Sequence, residues 1–161
     1  MPPTVVPSIG ALKSLVGQKL GVSEWVTVTQ QQINAFAEAT GDHQWIHVDV
    51  ERAKRESPFG TTIAHGFLTL SLLPRLSTRG RGQGEFEIVG HGNVVNYGSD
   101  KLRFLPPVPA GARVRAHSRL ASVEAAPKGT RVAREVAVHV VGSEKPALLY
   151  EMIALYQPKR G

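Results

Sequence analysis

The apolar positions change from alternation to helical spacing and back to alternation, and those changes divide the chain into elements. From Lys19 to Val28 the sequence KLGVSEWVTV alternates apolar and polar residues towards its end, which predicts an edge strand. Thr29 then opens Thr-Gln-Gln-Gln, with Gln32 at the spacing of a capping box, so a helix starts here. Ile33, Phe36, Ala37 and Thr40 recur at helical intervals and give it one apolar face. Gly41 stands where a C-cap glycine belongs, which delivers Asp42 into a loop. Asp49 to Glu56 is short and charged and predicts one or two surface turns, followed by the turn signal Ser57-Pro58-Phe59-Gly60. Ile63 to Leu73 is apolar nearly all round, so a helix here is buried rather than amphipathic. Pro74 kinks or ends it, although the periodicity continues to Leu76.

Ser77 to Gly84 contains three glycines and two arginines and reads as a mobile connection. Beyond it the pattern is strand-like. Val94 to Tyr97 and Lys101 to Leu105 are short strand candidates split by Gly98, and Pro106 to Gly111 is a turn. Val114, Ala116, Ser118 and Leu120 alternate with Arg113, Arg115, His117 and Arg119, a half-buried strand with one basic face. Val132 to Val141 alternates again after a hairpin connection at Pro127-Lys128-Gly129. Ala147 to Tyr156 is apolar at nearly every position, which predicts a central strand covered on both faces. An antiparallel sheet with one buried helix against it is an α+β arrangement. No internal repeat interrupts it, and the expected organisation is a single domain over residues 19–157 behind a lead-in of residues 1–18. The three prolines of Met1 to Pro7 make the start of that lead-in disordered or extended.

Composition narrows the picture. A chain of 161 residues, 42% hydrophobic and 20% charged, fits one packed domain. The absence of cysteine excludes disulfides, thiolate zinc sites and cysteine nucleophiles, and suits a cytoplasmic location. No apolar run approaches the ~20 residues of a membrane span, and no basic flank with an apolar run marks a secretory signal. The net charge of +6 attracts polyanions, whether nucleic acid, anionic lipid or a phosphorylated cofactor such as coenzyme A. The cations are spread thinly (Arg75, Arg79, Arg81, Lys101, Arg103, Arg113, Arg115) and few aromatics accompany them, so nucleic acid is not the expected partner.

Two short stretches carry chemistry. In Ala39 to Asp49, Asp42 and His47 lie five residues apart in a loop just past a helix end. A carboxylate and a neutral imidazole so placed can hold one water and move its protons both ways. The same residues also suit plainer work, Asp42 capping the next turn and His47 as a satisfied polar side chain. A metal set of Asp42, His43 and His47 is conceivable on ligand type, with no stronger metal motif beside it. In Ile63-Ala64-His65-Gly66, a glycine opening a buried helix leaves backbone N–H groups where a carbonyl oxygen gaining negative charge would bind. Gly66 could equally serve close packing of helix on sheet.

GDHQWIHVD followed by SPFGTTIAHGFLTLSLLPRL resembles the MaoC-like dehydratases, or R-specific enoyl-CoA hydratases (hydratase 2). Their pattern is Gly-Asp-x-Asn-Pro-hydrophobic-His-x-Asp, then Ala-His-Gly at a helix start. Asn96-Tyr97-Gly98, Lys101 to Phe104 and Pro107-Val108 fall where that family has its next strands, so the resemblance covers most of the chain. It implies a hotdog fold, an antiparallel sheet wrapped around a long central helix, here Ala64 to Leu76. It further implies a homodimer that binds an acyl-CoA thioester near the subunit interface and needs no metal or redox cofactor. Asp42 and His47 fall on the catalytic residues and Gly66 on the oxyanion donor, for hydration of a trans-2-enoyl-CoA to an (R)-3-hydroxyacyl-CoA. Trp45, Ala64, His65, Phe67, Asn96, Tyr97 and Arg103 are the candidate substrate contacts. Arg75, Lys101 and Arg103 are candidates for the coenzyme's phosphates. Gln44-Trp45 stands in place of Asn-Pro, and Pro74 falls where some members carry an assisting serine. A hotdog thioesterase and a non-catalytic acyl-CoA-binding protein are the alternatives. The Asp42–His47 loop argues against the thioesterase.

Overall fold

The computed structural model describes residues 4–76 and 86–160. Strands β1 (Thr4–Val6) and β4 (Phe86–Ile88) pair in parallel, apart from the main sheet. That sheet has the order β2-β6-β7-β8-β5, with β3 also pairing β6, and all its pairings are antiparallel. Its strands are β2 (Lys19–Val22), β3 (Val26–Thr27), β5 (His91–Phe104), β6 (Arg113–Ala126), β7 (Gly129–Val140) and β8 (Leu148–Pro158). Helices α1 (Ile9–Lys13), α2 (Gln30–Thr40), α3 (Trp45–Val48), α4 (Val50–Glu56) and α5 (Gly66–Ser71) complete the order. This is the hotdog arrangement, with α5 laid against the sheet at β8.

The alternation of β6 and β7 sorts their side chains. Val114, Ala116, Val136, Val138, Leu148 and Tyr150 join Val28, Ile33 and Leu68 in a core under α2 and α5. A second core gathers Val6 and Leu12 with Ile88, Leu120, Val132 and Tyr156. Leu12 and Leu120 are fully buried there, each stabilising by roughly 1.5–3 kcal/mol relative to exposure. The expected lead-in is therefore integrated over its described part. Thr4–Val6 is extended, but as a paired strand, and α1 is capped by Ser8 and anchors Leu12.

Two expectations change in detail. The buried helix spans Gly66–Ser71 rather than Ala64 to Leu76. Its start is set by Ala64, whose N–H is taken by Val108 O at 2.8 Å, and by His65 in an extended conformation. Its end is set by Pro74, which has no N–H for Leu70 O and crowds that carbonyl. The chain continues through tighter turns, with Leu73 N–H on Leu70 O and Arg75 N–H on Leu72 O, before Leu76 N–H reaches Leu72 O. Gly98 does not split the following strand. β5 runs unbroken from His91 to Phe104 and absorbs its irregularity in register shifts. The surface turns expected at Asp49 to Glu56 are present as helix α4 (Val50–Glu56), capped by Asp49. The connection expected at residues 77–84 lies outside the described residues. Among those described, no helix is long and apolar enough to cross a membrane.

Candidate active site

Helix α2 brings Asp42 to its place. Thr29 and Gln32 cap its start reciprocally, and Gly41 ends it at φ 78°, with its N–H on Ala37 O at 2.8 Å. A left-handed residue at this point turns the chain off the helix axis. Asp42 follows in an exposed loop, its N–H on Thr40 Oγ1 and its Oδ1 accepting from Gln44 N–H at 3.3 Å.

His47 sits in the four-residue helix α3, 7% exposed. Its Nδ1 lies 2.7 Å from Ile63 O. A carbonyl only accepts, so Nδ1 carries the proton and a neutral ring keeps its lone pair on Nε2. Burial, the largest influence, pushes the His47 pKa below its ordinary value; the Ile63 contact and Asp42 oppose this, and His65 reinforces it. Near neutral pH the ring is an unprotonated base. Its backbone is fixed by Gln30, whose Nε2 donates to His47 O at 2.7 Å while its Oε1 accepts from Thr62.

A carboxylate oxygen of Asp42 and ring nitrogens of His47 and His65 lie within 4.8 Å of one another. Two groups each about 2.8 Å from one water oxygen, at a tetrahedral angle, stand roughly 4.6 Å apart. A separation of no more than 4.8 Å is compatible with a shared water. A metal fits it poorly. The His47 and His65 rings are stacked, centroids 3.9 Å apart and planes 26° from parallel, so their lone pairs do not converge on one ion at about 2.0–2.1 Å. His43, part of the metal set conceivable from sequence, instead faces Glu38 at 3.7 Å.

Gly66 opens α5, and the first N–H groups of a helix have no acceptor within it. A Cβ here would meet Phe104 Cδ1 at 2.7 Å and Cε1 at 2.9 Å, so the ring of Phe104 lies directly against the glycine. Phe67 packs on the same ring, centroids 5.3 Å apart, and is largely exposed. Both functions weighed for Gly66, close packing and a free N–H, are thereby compatible.

The other candidates scatter. Ala64 and His65 are buried beside the pair, and Trp45 is half-buried under the Arg52 guanidinium, 4.4 Å from its ring centre. Asn96 and Tyr97 lie far along β5, roughly 25 Å from Phe104 for the intervening residues at 3.3 Å each. Arg103 pairs with Leu149 and lines a cavity of about 750 Å³ with Lys19, Val22, His117 and Ala137. Phe104, its neighbour, pairs with the core residue Leu148, so Arg103 and this cavity belong to the opposite face of the sheet from α5. Lys101 is bonded to Glu151 at 2.9 Å. Gln30, Ile63 and Phe104 complete the site without having been singled out from sequence. Their contacts join distant segments, and no local spacing announces them.

The model of the MaoC like domain matches residues 12–141. The chain is 51% identical over 150 residues to a 3-hydroxyacyl-thioester dehydratase Z of Mycobacterium tuberculosis, covering 92% of this chain and 95% of that protein. It is 44% identical over 153 residues to nodulation protein N of Rhizobium meliloti, covering 93% and 91% respectively. Among solved structures, R-hydratase PhaJ1 of Pseudomonas aeruginosa superposes with a TM-score of 0.69 at 23% identity, over 96% of this chain and 87% of that one. At that identity the likeness concerns the fold.

Proposed function

Since the chain belongs to the MaoC-like domain family and is a hydratase or dehydratase of acyl thioesters, we propose that it hydrates a trans-2-enoyl-CoA reversibly to the (R)-3-hydroxyacyl-CoA. The observation that carries the reading is the Asp42–His47 pair, its polar atoms no more than 4.8 Å apart, with the imidazole buried and its tautomer set by Ile63 O. The thioester carbonyl accepts a hydrogen bond from Gly66 N–H, which withdraws electron density from C3. The water held by Asp42 and His47 attacks C3. One of the pair takes the water's proton, a proton returns from the pair to C2, and one water has been added across the double bond. Groups this close are treated as one proton-transfer unit. The chemistry requires no electron carrier.

The homodimer belongs to the same proposal. Among the described residues β5 pairs only with β8, and it exposes Val94, Val95 and Tyr97; a second copy would cover its other edge. In this reading the thioester enters near the subunit interface, and Trp45 and Phe67 are proposed to line its path.

Loss of the enoyl absorbance of crotonyl-CoA tests the reading. Asp42→Asn and His47→Gln are each expected to lower kcat by about 10²–10⁴-fold, with cooperative thermal unfolding preserved. Full activity in either variant, or release of free thiol in place of hydration, would overturn it.

A further inference from the structure

His65 is 3% exposed and occupies the N-cap position of α5, where a short polar side chain usually bonds the first helical N–H groups. It makes no such bond. Its Nε2 instead lies 3.0 Å from the main-chain oxygen of Asp42, so Nε2–H donates and the neutral ring carries its lone pair on Nδ1. That Nδ1 is buried with no hydrogen-bond partner among the described residues. A buried acceptor without a donor costs stability, and such a cost calls for an explanation in function or strain. One face of the ring stacks on His47 at 3.9 Å, and Phe36 of α2 leans on it at 4.9 Å and 53°.

We infer that His65 is a positioning residue that locks the Asp42–His47 loop to the helix bearing Gly66. The inference rests on the roles proposed above for Asp42 and His47. Its hydrogen bond fixes the Asp42 backbone, its ring face fixes the plane of His47, and its peptide bond joins it to Gly66. One imidazole thus sets the distance between the proton-transfer water and the oxyanion donor. Being buried, with Nε2 spent on a main-chain carbonyl, the ring holds rather than transfers protons. The titratable groups beside it are Asp42 and His47, and α2 packs Phe36 against it.

Two substitutions separate its contributions. His65→Phe keeps a ring on His47 and loses the donor, whereas His65→Gln keeps an N–H donor and loses the stack. Misplacement of reacting groups by about 1 Å costs on the order of 10²-fold. Each variant is therefore expected to lose roughly 10–100-fold in kcat on crotonyl-CoA, with KM within about twofold. In both, the acid limb of kcat/KM should move to higher pH, because the neighbouring imidazole that opposes a charge on His47 is gone. Variants that lower only the melting temperature, with kcat and the acid limb unchanged, would assign His65 to packing and overturn the inference. A test on the unmodified protein stands beside these: imidazole 15N shifts should report the Nε2–H tautomer for His65, and the Nδ1–H tautomer would refute the bond to Asp42. Activity retained by Asp42→Asn or His47→Gln would remove the functional reading itself. Activity retained by the His65 variants alone removes only this inference.

Discussion

Alanine at position 66 would set its Cβ 2.7 Å from the Phe104 ring, closer than real contacts allow, so the ring or α5 has to shift. Gly66→Ala is expected to destabilise by about 1–3 kcal/mol, the usual range for overpacking, and to lower kcat as the N–H moves. Adding Phe104→Ala removes the obstacle. A double-mutant cycle in thermal unfolding should then return part of the loss, whereas strict additivity would mean that Phe104 does not confine Gly66. The residues of this site divide by how their signals are written. The local positions of Asp42, His47 and Gly66 were legible because each sits at a chain-local landmark: a C-cap glycine, a five-residue spacing, a helix start. Phe104, Gln30 and the placement of His65 under His47 were not. Gln30 meets His47 and Thr62, and Phe104 meets Gly66, only after the sheet has formed. Arg103, a candidate phosphate contact, is turned by strand alternation to the other face of the sheet from Phe104.

Elements were read well where one period dominated. The capping box and C-cap glycine of α2, the alternation of β6 and β7, and the apolar run of β8 all appear at or near the expected positions. Reading failed where a single residue was given too much weight or too little. Gly98 predicts a split in a strand that β5 carries through, and the apolar periodicity past Pro74 conceals how early α5 stops. The basic face of β6 has its own consequence. His117 lies beside His139 of β7, rings 4.7 Å apart, and Arg115 stacks over Trp25. Burial first, then neighbouring positive groups, lower the pKa of His117 and of His139. An imidazole whose folded pKa is depressed binds fewer protons folded than unfolded, so its contribution is complete above the unfolded value near 6.5 and is lost as pH falls through the folded one. The melting temperature should therefore decline as pH drops below about 6.5. The double variant His117→Gln, His139→Gln should flatten that decline while leaving hydration of crotonyl-CoA intact. A slope unchanged by this pair would place its origin elsewhere, His47 being the remaining lowered histidine.

At the scale of the whole molecule, β5 poses the open question. It is a 14-residue strand with one edge on β8 and the other without a strand partner among the described residues, and it carries exposed Val94, Val95 and Tyr97. Long apolar edges invite pairing with another chain, and proteins usually cover or charge them. An antiparallel β5–β5 contact about a twofold axis near Asp100 would set residue 96 of one copy opposite residue 104 of the other. Asn96 of the partner subunit would then approach the Phe104–Gly66 contact that its own chain places roughly 25 Å away. Sedimentation equilibrium is expected to give a dimer. Val95→Lys, which puts a charge on the edge without touching the Asp42 loop, should shift the population towards monomer and lower activity in proportion. Asn96→Ala should lower activity in the dimer while leaving the catalytic residues of each chain undisturbed. A fully active Val95→Lys monomer would mean that each chain holds a complete site, and Asn96 and Tyr97 would then have no part in it.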